Sequence, residues 1–328
     1  MGDSEKEYIV LDCDIGTDDA WALLTLIKAE QEMPDKYKIL GVTCIAGNST
    51  IDNIAINTLR ILDSVNRLDI PVYKGCHEAI LPKRENKEEK PDNKYFHGKD
   101  GLGDLKHEKS VNLDIIQKPH AVNAMFDFVC KHPKKVTFIL VGPLTNFALC
   151  INMYPDFTDK VKSIFIMGGN IQAVGNATSS AEFNFYMDPE AAHIVLEKSK
   201  CPITILPLEA CLENKFQIPM DWRIEKFQVY KNDAIRILNE CEIKLYVRKN
   251  FKYWYPCDAL LTAVFLFPER IIKQKSIWRA TVELNGSYTR GQMILDHLKL
   301  GNNTVNVRII EEICAESFKE IALWAADL

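Results

Sequence analysis

The sequence contains no apolar run long enough to cross a membrane, and it has no excess of positive charge. A membrane-spanning helix needs roughly 20 consecutive apolar residues, and no stretch of the 328 residues approaches that length. Lysine and arginine number 40 against 45 aspartate and glutamate, which gives a formal net charge of −5. Proteins that bind nucleic acids or anionic membranes usually present a basic surface. The composition therefore argues against both partners and favours a small or neutral ligand.

The ten cysteines include no CxxC pair, so the sequence predicts neither a zinc site nor a disulfide framework. Residues 1–7 are polar and acidic and lead directly into a predicted strand, which is not the pattern of a signal peptide. Cysteines in a chain without an export signal are expected to be reduced and mostly buried. We therefore expect a cytoplasmic protein.

The sequence also lacks internal repeats and a Gly/Ser/Pro-rich linker, so we expect one domain over residues 1–328. Short runs that are apolar almost throughout alternate with amphipathic helical patterns, which indicates an α/β domain. The predicted fold is an open, mostly parallel sheet with helices on both faces. The predicted strands lie at 8–11, 39–45, 70–73, 136–141, 163–167 and 203–206, and predicted helices begin near 21, 53, 120 and 189.

Two regions depart from this alternation. Residues 83–94 are almost all charged or polar and precede the sequence HGKDGLG, which predicts a flexible loop near 80–104, either solvated or forming the base of a lid. Residues 222–249 have helical character with little strand signal, which predicts a helical insertion near 220–255.

Four carboxylates, from Asp12, Asp14, Asp18 and Asp19, lie within eight residues at the end of the first predicted strand. In open α/β sheets, ligands bind at the carboxyl ends of strands. Four like charges this close are costly unless a cation is bound, and carboxylate oxygens favour Ca²⁺ or Mg²⁺. The spacing is not that of an EF-hand loop. The alternative, that two aspartates only complement a helix dipole, leaves the other two unexplained.

Two later segments carry polar residues that could contact a ligand. Asn176, Glu182 and Asn184 follow the predicted strand that ends at residue 167, and together they offer donors and acceptors that suit a sugar. Asp258 follows Cys257 at the start of an apolar helix, where it is either a helix cap or a distant metal ligand.

Taken together, these segments resemble the nucleoside hydrolase family, the calcium-dependent, inosine–uridine preferring N-ribohydrolases. The resemblance extends from about residue 8 to about residue 300. It implies hydrolysis of the N-glycosidic bond of a ribonucleoside to ribose and free base, by a homodimer or homotetramer. The segments that carry it are DCDIGTDD (12–19), AGN (46–48), GPLTN (142–146), MGG (167–169), 176–184, Asp258 and TRG (289–291).

The resemblance also implies a role for individual residues. Asp14, Asp19 and Asp258 would be Ca²⁺ ligands through their side chains, and Val141 through its backbone carbonyl. Asp14 would also be the general base for the attacking water. The implied ribose contacts are Asp18, Asn48, Met167, Asn176, Glu182 and Asn184.

The proton donor for the leaving base is left open. One branch of the family has a histidine before the last calcium-binding aspartate and another has a tryptophan. This sequence has Cys257 there, which resembles a less studied group. Cys257 and His97 are the candidates for this catalytic role, and His97 is the first to test. Further candidates are Tyr246, Arg248, Tyr253 and Trp254.

Two other functions remain as alternatives. The DCD sequence after a strand also resembles the start of aspartate-nucleophile phosphohydrolases, which use Mg²⁺, although the adjacent Asp18 and Asp19 fit that motif poorly. A nucleoside-binding protein that has lost its leaving-group acid is the second alternative. Ribose release from inosine or uridine would exclude the binding protein, and phosphate release would indicate the phosphohydrolase.

Overall fold

The computed structural model describes residues 6–81, 95–106, 110–212, 215–300 and 304–328. The strands are β1 (Glu7–Cys13), β2 (Tyr37–Cys44), β3 (Val72–Lys74), β4 (Val136–Leu140), β5 (Ser163–Met167), β6 (Ile203–Leu206), β7 (Ile272–Trp278), β8 (Ala280–Val282), β9 (Met293–Leu295) and β10 (Val307–Ile313). The helices are α1 (Thr17–Glu32), α2 (Ile51–Ser64), α3 (Ala121–Lys131), α4 (Thr145–Met153), α5 (Phe157–Lys160), α6 (Phe183–Met187), α7 (Pro189–Lys198), α8 (Leu208–Cys211), α9 (Met220–Phe227), α10 (Asp233–Lys249), α11 (Cys257–Leu266), α12 (Pro268–Ile271) and α13 (Ala315–Ala326).

Eight strands form one sheet in the order β3-β2-β1-β4-β5-β6-β10-β7. Strand β7 runs antiparallel to β10 at one edge, whereas the other neighbouring pairs are parallel. Strands β8 and β9 form a separate antiparallel pair. The strand order reverses between β1 and β4, and a crevice at such a reversal is where open α/β sheets bind ligands. The fold therefore places the residues that follow β1 and β4 in that crevice.

Both faces of the sheet are covered by apolar side chains. One cluster packs α1, α11 and α13 against the sheet, and the other packs α3, α4 and α7. All five residues of β4 are buried, as expected for a strand covered on both faces. The predicted fold, an open and mostly parallel sheet with helices on both faces, is confirmed.

The sequence did not predict strands β7 to β10, because β7, β8 and β10 contain polar residues and β9 has only three residues. Strand β7 carries Lys273, Gln274 and Lys275, all exposed, since it lies at the edge of the sheet. Charged residues on an edge strand discourage pairing with another chain. Strand β3 begins at Val72 and not at the predicted residue 70, and Pro71 before it has no N–H to donate to a neighbouring strand.

The helical insertion predicted near 220–255 contains α9 and α10. The loop predicted near 80–104 falls partly on residues 82–94, which lie outside the described residues, and its flexibility stays a prediction. Within the described ranges, no helix is both long enough and apolar enough to cross a membrane.

The 95–104 segment packs against α10, whose side chains donate to its backbone. Lys244 Nζ donates to the carbonyl of Gly103 at 2.6 Å, and Arg248 Nη2 donates to the carbonyl of Phe96 at 3.1 Å. The helical insertion thus holds this segment over the carboxyl ends of the central strands.

Candidate active site

A cavity of about 400 Å³ opens at the carboxyl ends of the central strands, and we refer to it as the pocket. Its wall contains His97, Cys257 and every residue to which the resemblance assigns a role, except Asp19, which is completely buried. The further candidates for the leaving-group acid are not in this wall; they are Tyr246, Arg248, Tyr253 and Trp254. The predicted residues in the wall are Asp14, Asp18, Asn48, His97, Val141, Met167, Asn176, Glu182, Asn184, Cys257 and Asp258.

Asp19 organises the turn between β1 and α1. Its two carboxylate oxygens accept hydrogen bonds from the backbone N–H of Gly16 at 2.7 Å and of Asp14 at 3.2 Å. Gly16 is the N-cap of α1, so Asp19 satisfies a donor that the first turn leaves unpaired. This turn brings Asp14 and Asp18 into the pocket wall.

Two glycines leave room for the Asp14 carboxylate. A Cβ atom at Gly47 would lie 2.1 Å from Asp14 Oδ2, and one at Gly142 would lie 3.0 Å from Oδ1. Oδ2 also accepts a hydrogen bond of 2.7 Å from the backbone N–H of Asn48. The AGN and GPLTN sequences therefore shape the space around this aspartate.

Asp18, Asp19 and Asp258 form an acidic cluster in which one oxygen of each carboxylate lies within 4.8 Å of the others. Asp14, implied as a metal ligand, is outside this closest group, whereas Asp18, implied as a ribose contact, belongs to it. Burial, followed by the charge of Asp19, raises the pKa of Asp18 to about 8. Burial raises the pKa of Asp19 to about 6. A bound cation would relieve this repulsion, so the cluster is compatible with a metal site.

Asn184 and Glu182 contribute further polar groups to the pocket wall. Asn184 donates through Nδ2 to the carbonyls of Val141 and Met167, both at 3.0 Å, which leaves its Oδ1 as an acceptor for a ligand. Glu182 caps α6 and accepts from the N–H groups of Asn184 at 2.8 Å and Gly169 at 2.9 Å. Burial raises the pKa of Glu182 to about 7.

Asn176 is held at the pocket by a backbone contact. Its Oδ1 accepts a hydrogen bond of 2.8 Å from the N–H of Phe183, so its amide nitrogen is the group suited to donate to a ligand.

His97 is buried over the first turn of α1, with 7% of its surface exposed. Its Nδ1 accepts a hydrogen bond of 3.3 Å from the N–H of Thr17, and its Nε2 lies 3.5 Å from Asp18 Oδ1. Burial lowers its pKa to about 4, so the ring is neutral at pH 7 with its proton on Nε2, facing Asp18. A Cβ at Gly16 would meet the ring at 2.7 Å, so glycine is needed there for His97 to approach.

Cys257 stands in the pocket wall at the start of α11. The hydrogen bond with the neighbouring Cys211 thiol, together with burial, holds the pKa of Cys257 well above its usual range. Cys257 therefore keeps its proton at neutral pH, which makes it a weak acid and a weak nucleophile.

An apolar and largely aromatic part of the pocket wall was not predicted. The aromatic sequence at 251–255 was a signal, but aromatic side chains more often pack in a core. Additional residues in the wall are Phe96, Phe183, Leu208, Leu212, Lys249, Phe251 and Tyr255.

Trp254, one of the further candidates for the leaving-group acid, is 1% exposed and donates its indole N–H to Glu242.

Comparisons with known proteins identify the family to which the chain belongs. Residues 9–320 match the family described as inosine-uridine preferring nucleoside hydrolase. The chain is 33% identical over 323 residues to the pyrimidine-specific ribonucleoside hydrolase RihA of Photobacterium profundum, a match that covers 95% of this chain and 96% of that protein. It is 33% identical over 318 residues to RihA of Escherichia coli O81, with the same coverage.

Solved structures share the fold. An inosine-guanosine nucleoside hydrolase superposes with a TM-score of 0.85 at 24% identity, and a purine-preferring ribonucleoside hydrolase from Gardnerella vaginalis with 0.84 at 23%. Each match covers 98% of both chains. The resemblance drawn from the sequence is therefore confirmed: the chain belongs to the inosine–uridine preferring nucleoside hydrolases, enzymes that cleave the N-glycosidic bond of ribonucleosides.

Proposed function

We propose that this chain hydrolyses ribonucleosides, inosine and uridine among them, to ribose and free base with the help of a calcium ion. The observation that carries the proposal is the acidic cluster of Asp18, Asp19 and Asp258 in a pocket whose other polar groups suit a sugar. The relatives at 33% identity are named pyrimidine-specific, and two solved structures are named for purine nucleosides. Both kinds of base therefore belong in the test.

The four implied metal ligands fit a hard divalent cation, because all of them bind through oxygen atoms. Asp14, Asp19 and Asp258 would hold calcium through their carboxylates, and Val141 through its carbonyl. The buried carboxylates repel one another, which favours binding of a positive ion. When bound, calcium supplies positive charge that attracts the ribose hydroxyls and makes a water molecule more acidic.

We assign Asp14 the role of general base. Its Oδ2 accepts from the N–H of Asn48, which fixes the carboxylate in the pocket and leaves Oδ1 to take the proton of the attacking water. A well-placed base contributes about 10²–10⁴-fold to the rate.

We assign the binding and orientation of ribose to six residues that line the pocket. Hydroxyl groups would donate to carboxylates and to Asn184 Oδ1, and would accept from the Asn176 amide. The same carboxylates stabilise the positive charge that develops on the sugar as the glycosidic bond breaks. The six residues are Asp18, Asn48, Met167, Asn176, Glu182 and Asn184.

The aromatic wall of Phe96, Phe251 and Tyr255 suits a planar base, which can stack on such rings. His97 and Cys257 are the candidates that supply a proton to that base as it leaves. Cys257 holds its proton on Sγ at neutral pH. His97, with a pKa of about 4, is neutral there and would have to gain a second proton in the pocket before it could give one to the leaving base.

The test is ribose release from inosine, uridine, guanosine and cytidine, measured as reducing sugar, in calcium and then with excess chelator. We expect release in calcium, loss with chelator and recovery when calcium is restored. Nucleoside binding without release would instead support the binding-protein alternative. Phosphate release from a phosphomonoester would support the phosphohydrolase, which the family comparison disfavours.

We also propose that the enzyme is a cytoplasmic homodimer or homotetramer. All ten cysteines are unpaired, which suits a reducing compartment. Ile277, Leu298 and Leu300 expose 61%, 78% and 79% of their surfaces, and exposed apolar side chains often mark interfaces. Light scattering during size-exclusion chromatography measures the assembly.

A further inference from the structure

A buried ion pair lies in the helical insertion behind the pocket wall. Arg223 of α9 and Glu242 of α10 are each 1% exposed, and Arg223 Nε donates to Glu242 Oε2 at 2.7 Å. The guanidinium lies over the rings of Trp21, Phe227 and Trp254, at 5.3, 4.6 and 5.4 Å from their centroids. Because desolvation offsets much of the attraction within a buried pair, stability alone is a weak reason for its presence.

Glu242 also connects two parts of the chain that form the pocket. Its Oε1 accepts from the indole nitrogen of Trp21 at 3.0 Å and from that of Trp254 at 3.3 Å. Trp21 follows Asp18 by three residues in α1, so the two side chains lie on the same side of that helix. Trp254 lies in the 251–256 segment, which leads into α11.

The 251–256 segment supplies part of the aromatic wall. Phe251 and Tyr255 line the pocket, on either side of Trp254 in the sequence. The backbone N–H of Tyr255 donates to Tyr246 Oη at 2.7 Å, which ties the segment to α10. A displacement of Trp254 would therefore move the wall against which a base would lie, relative to Asp18, the proposed ribose contact on α1.

We infer that the Arg223–Glu242 pair is a positioning unit that sets how strongly this enzyme discriminates between nucleobases. Glu242 holds Trp21, on the helix of Asp18, and Trp254, in the aromatic wall, at a fixed distance from each other. Arg223 fixes Glu242 in turn. Neither residue lines the pocket, so both act through the groups that they hold. The inference rests on the proposed function, because it concerns where the base lies in that reaction.

Two variants test the positioning role. Glu242→Gln turns an amide N–H₂ group or a weaker acceptor toward Arg223 and leaves the guanidinium without its counter-charge. Trp254→Phe keeps an aromatic ring in place and leaves the buried ion pair intact, but it removes one N–H donor. We therefore expect this variant to fold even if Glu242→Gln does not. For each, kcat/KM is measured with inosine and with uridine. We expect the ratio of the two values to change at least fivefold, because the wall shifts relative to the ribose contacts.

The ratio separates positioning from stability, because a lower fraction of folded enzyme reduces both kcat/KM values equally. Glu30→Gln is the matched control. Glu30 is 7% exposed and accepts from Arg67 Nη2 at 2.6 Å, but neither residue lines the pocket. We expect this variant to lower the thermal midpoint and leave the ratio unchanged.

The possible outcomes are distinct. A kcat/KM ratio within twofold of the wild-type value in folded Trp254→Phe would overturn the inference. A change of that ratio in Glu30→Gln as large as the change in Trp254→Phe would also overturn it. If the unaltered enzyme releases ribose from neither nucleoside, it is the proposed function that fails. If it hydrolyses only one, the ratio is taken between two nucleosides that it does hydrolyse.

Discussion

Asp14 occupies a space that two glycines and one backbone N–H define at the end of β1. Replacing Asp14 with alanine removes both the proposed general base and a proposed calcium ligand. We expect Asp14→Ala to lower kcat by about 10²–10⁴-fold or more. Ribose release at saturating calcium measures the effect.

Asp35→Ala is the control for that variant, because Asp35 is exposed on the surface. It should keep the wild-type rate. An Asp14→Ala enzyme with near-wild-type kcat would remove Asp14 from the mechanism.

The leaving-group acid can be identified with two substrates. A poor leaving group such as hypoxanthine needs a proton, whereas p-nitrophenolate leaves without one. We expect His97→Ala to lower kcat with inosine about 10²-fold and to affect p-nitrophenyl riboside much less. Cys257→Ala is measured in the same way. The variant that loses more kcat with inosine than with p-nitrophenyl riboside is the one that lacks the leaving-group acid. Equal losses on both substrates would show that His97 only shapes the pocket.

At the scale of elements, the first turn of α1 and the 95–104 segment fit together through Gly16. Its backbone angles, φ −98° and ψ −161°, are open to any residue, so only contact with His97 excludes a side chain. We expect Gly16→Ala to push the His97 ring away and lower kcat about as much as His97→Ala does. Their combination should add little, since residues in contact are not additive. Full additivity in the double variant would contradict this coupling.

The sequence predicts elements best where burial makes their pattern regular. Strands β1 to β6 and helices α1, α2, α3 and α7 were predicted, because both faces of the sheet are covered and these helices have a regular apolar pattern. The exposed edge strand β7 and the short β8–β9 pair follow no such pattern. Helices α9 and α10 were predicted as a region, but not their contacts, because the partners of Glu242 are distant in sequence.

The aspartate, Asn176 and Glu182 segments were identified because their residue types are chemically unusual at those positions. The aromatic wall was missed because Phe96 and Phe251 look like core residues in a sequence. The burial of His97 was also unpredictable, since it depends on a glycine 81 residues earlier in the chain.

At the scale of the whole molecule, buried carboxylates link stability to pH. Burial raises the pKa of Asp18 to about 8 and of Glu182 to about 7, so the folded protein holds protons that the unfolded chain releases. The stability that these groups contribute is present at low pH and is lost as pH rises through these values. We expect the thermal midpoint of the metal-free protein to fall between pH 7.5 and about 8.5, a window in which His97 is almost entirely neutral in both states.

Calcium should change this dependence, because the ion competes with protons for the same oxygens. We expect added calcium to raise the thermal midpoint more at pH 8.5 than at about 6.5, and Asp258→Asn to lose most of that increase. An equal calcium effect at both pH values would contradict a carboxylate site.

The attachment of the 95–104 segment to α10 has a consequence for how the enzyme can diversify. Lys244 and Arg248 bind carbonyl groups, which every residue possesses, and not the side chains of the segment. Replacing Phe96 therefore leaves the anchor from Arg248 intact while altering the surface of the proposed base site. In the proposed base site, selectivity between purines and pyrimidines can therefore change at this position while the contacts that hold the segment stay the same.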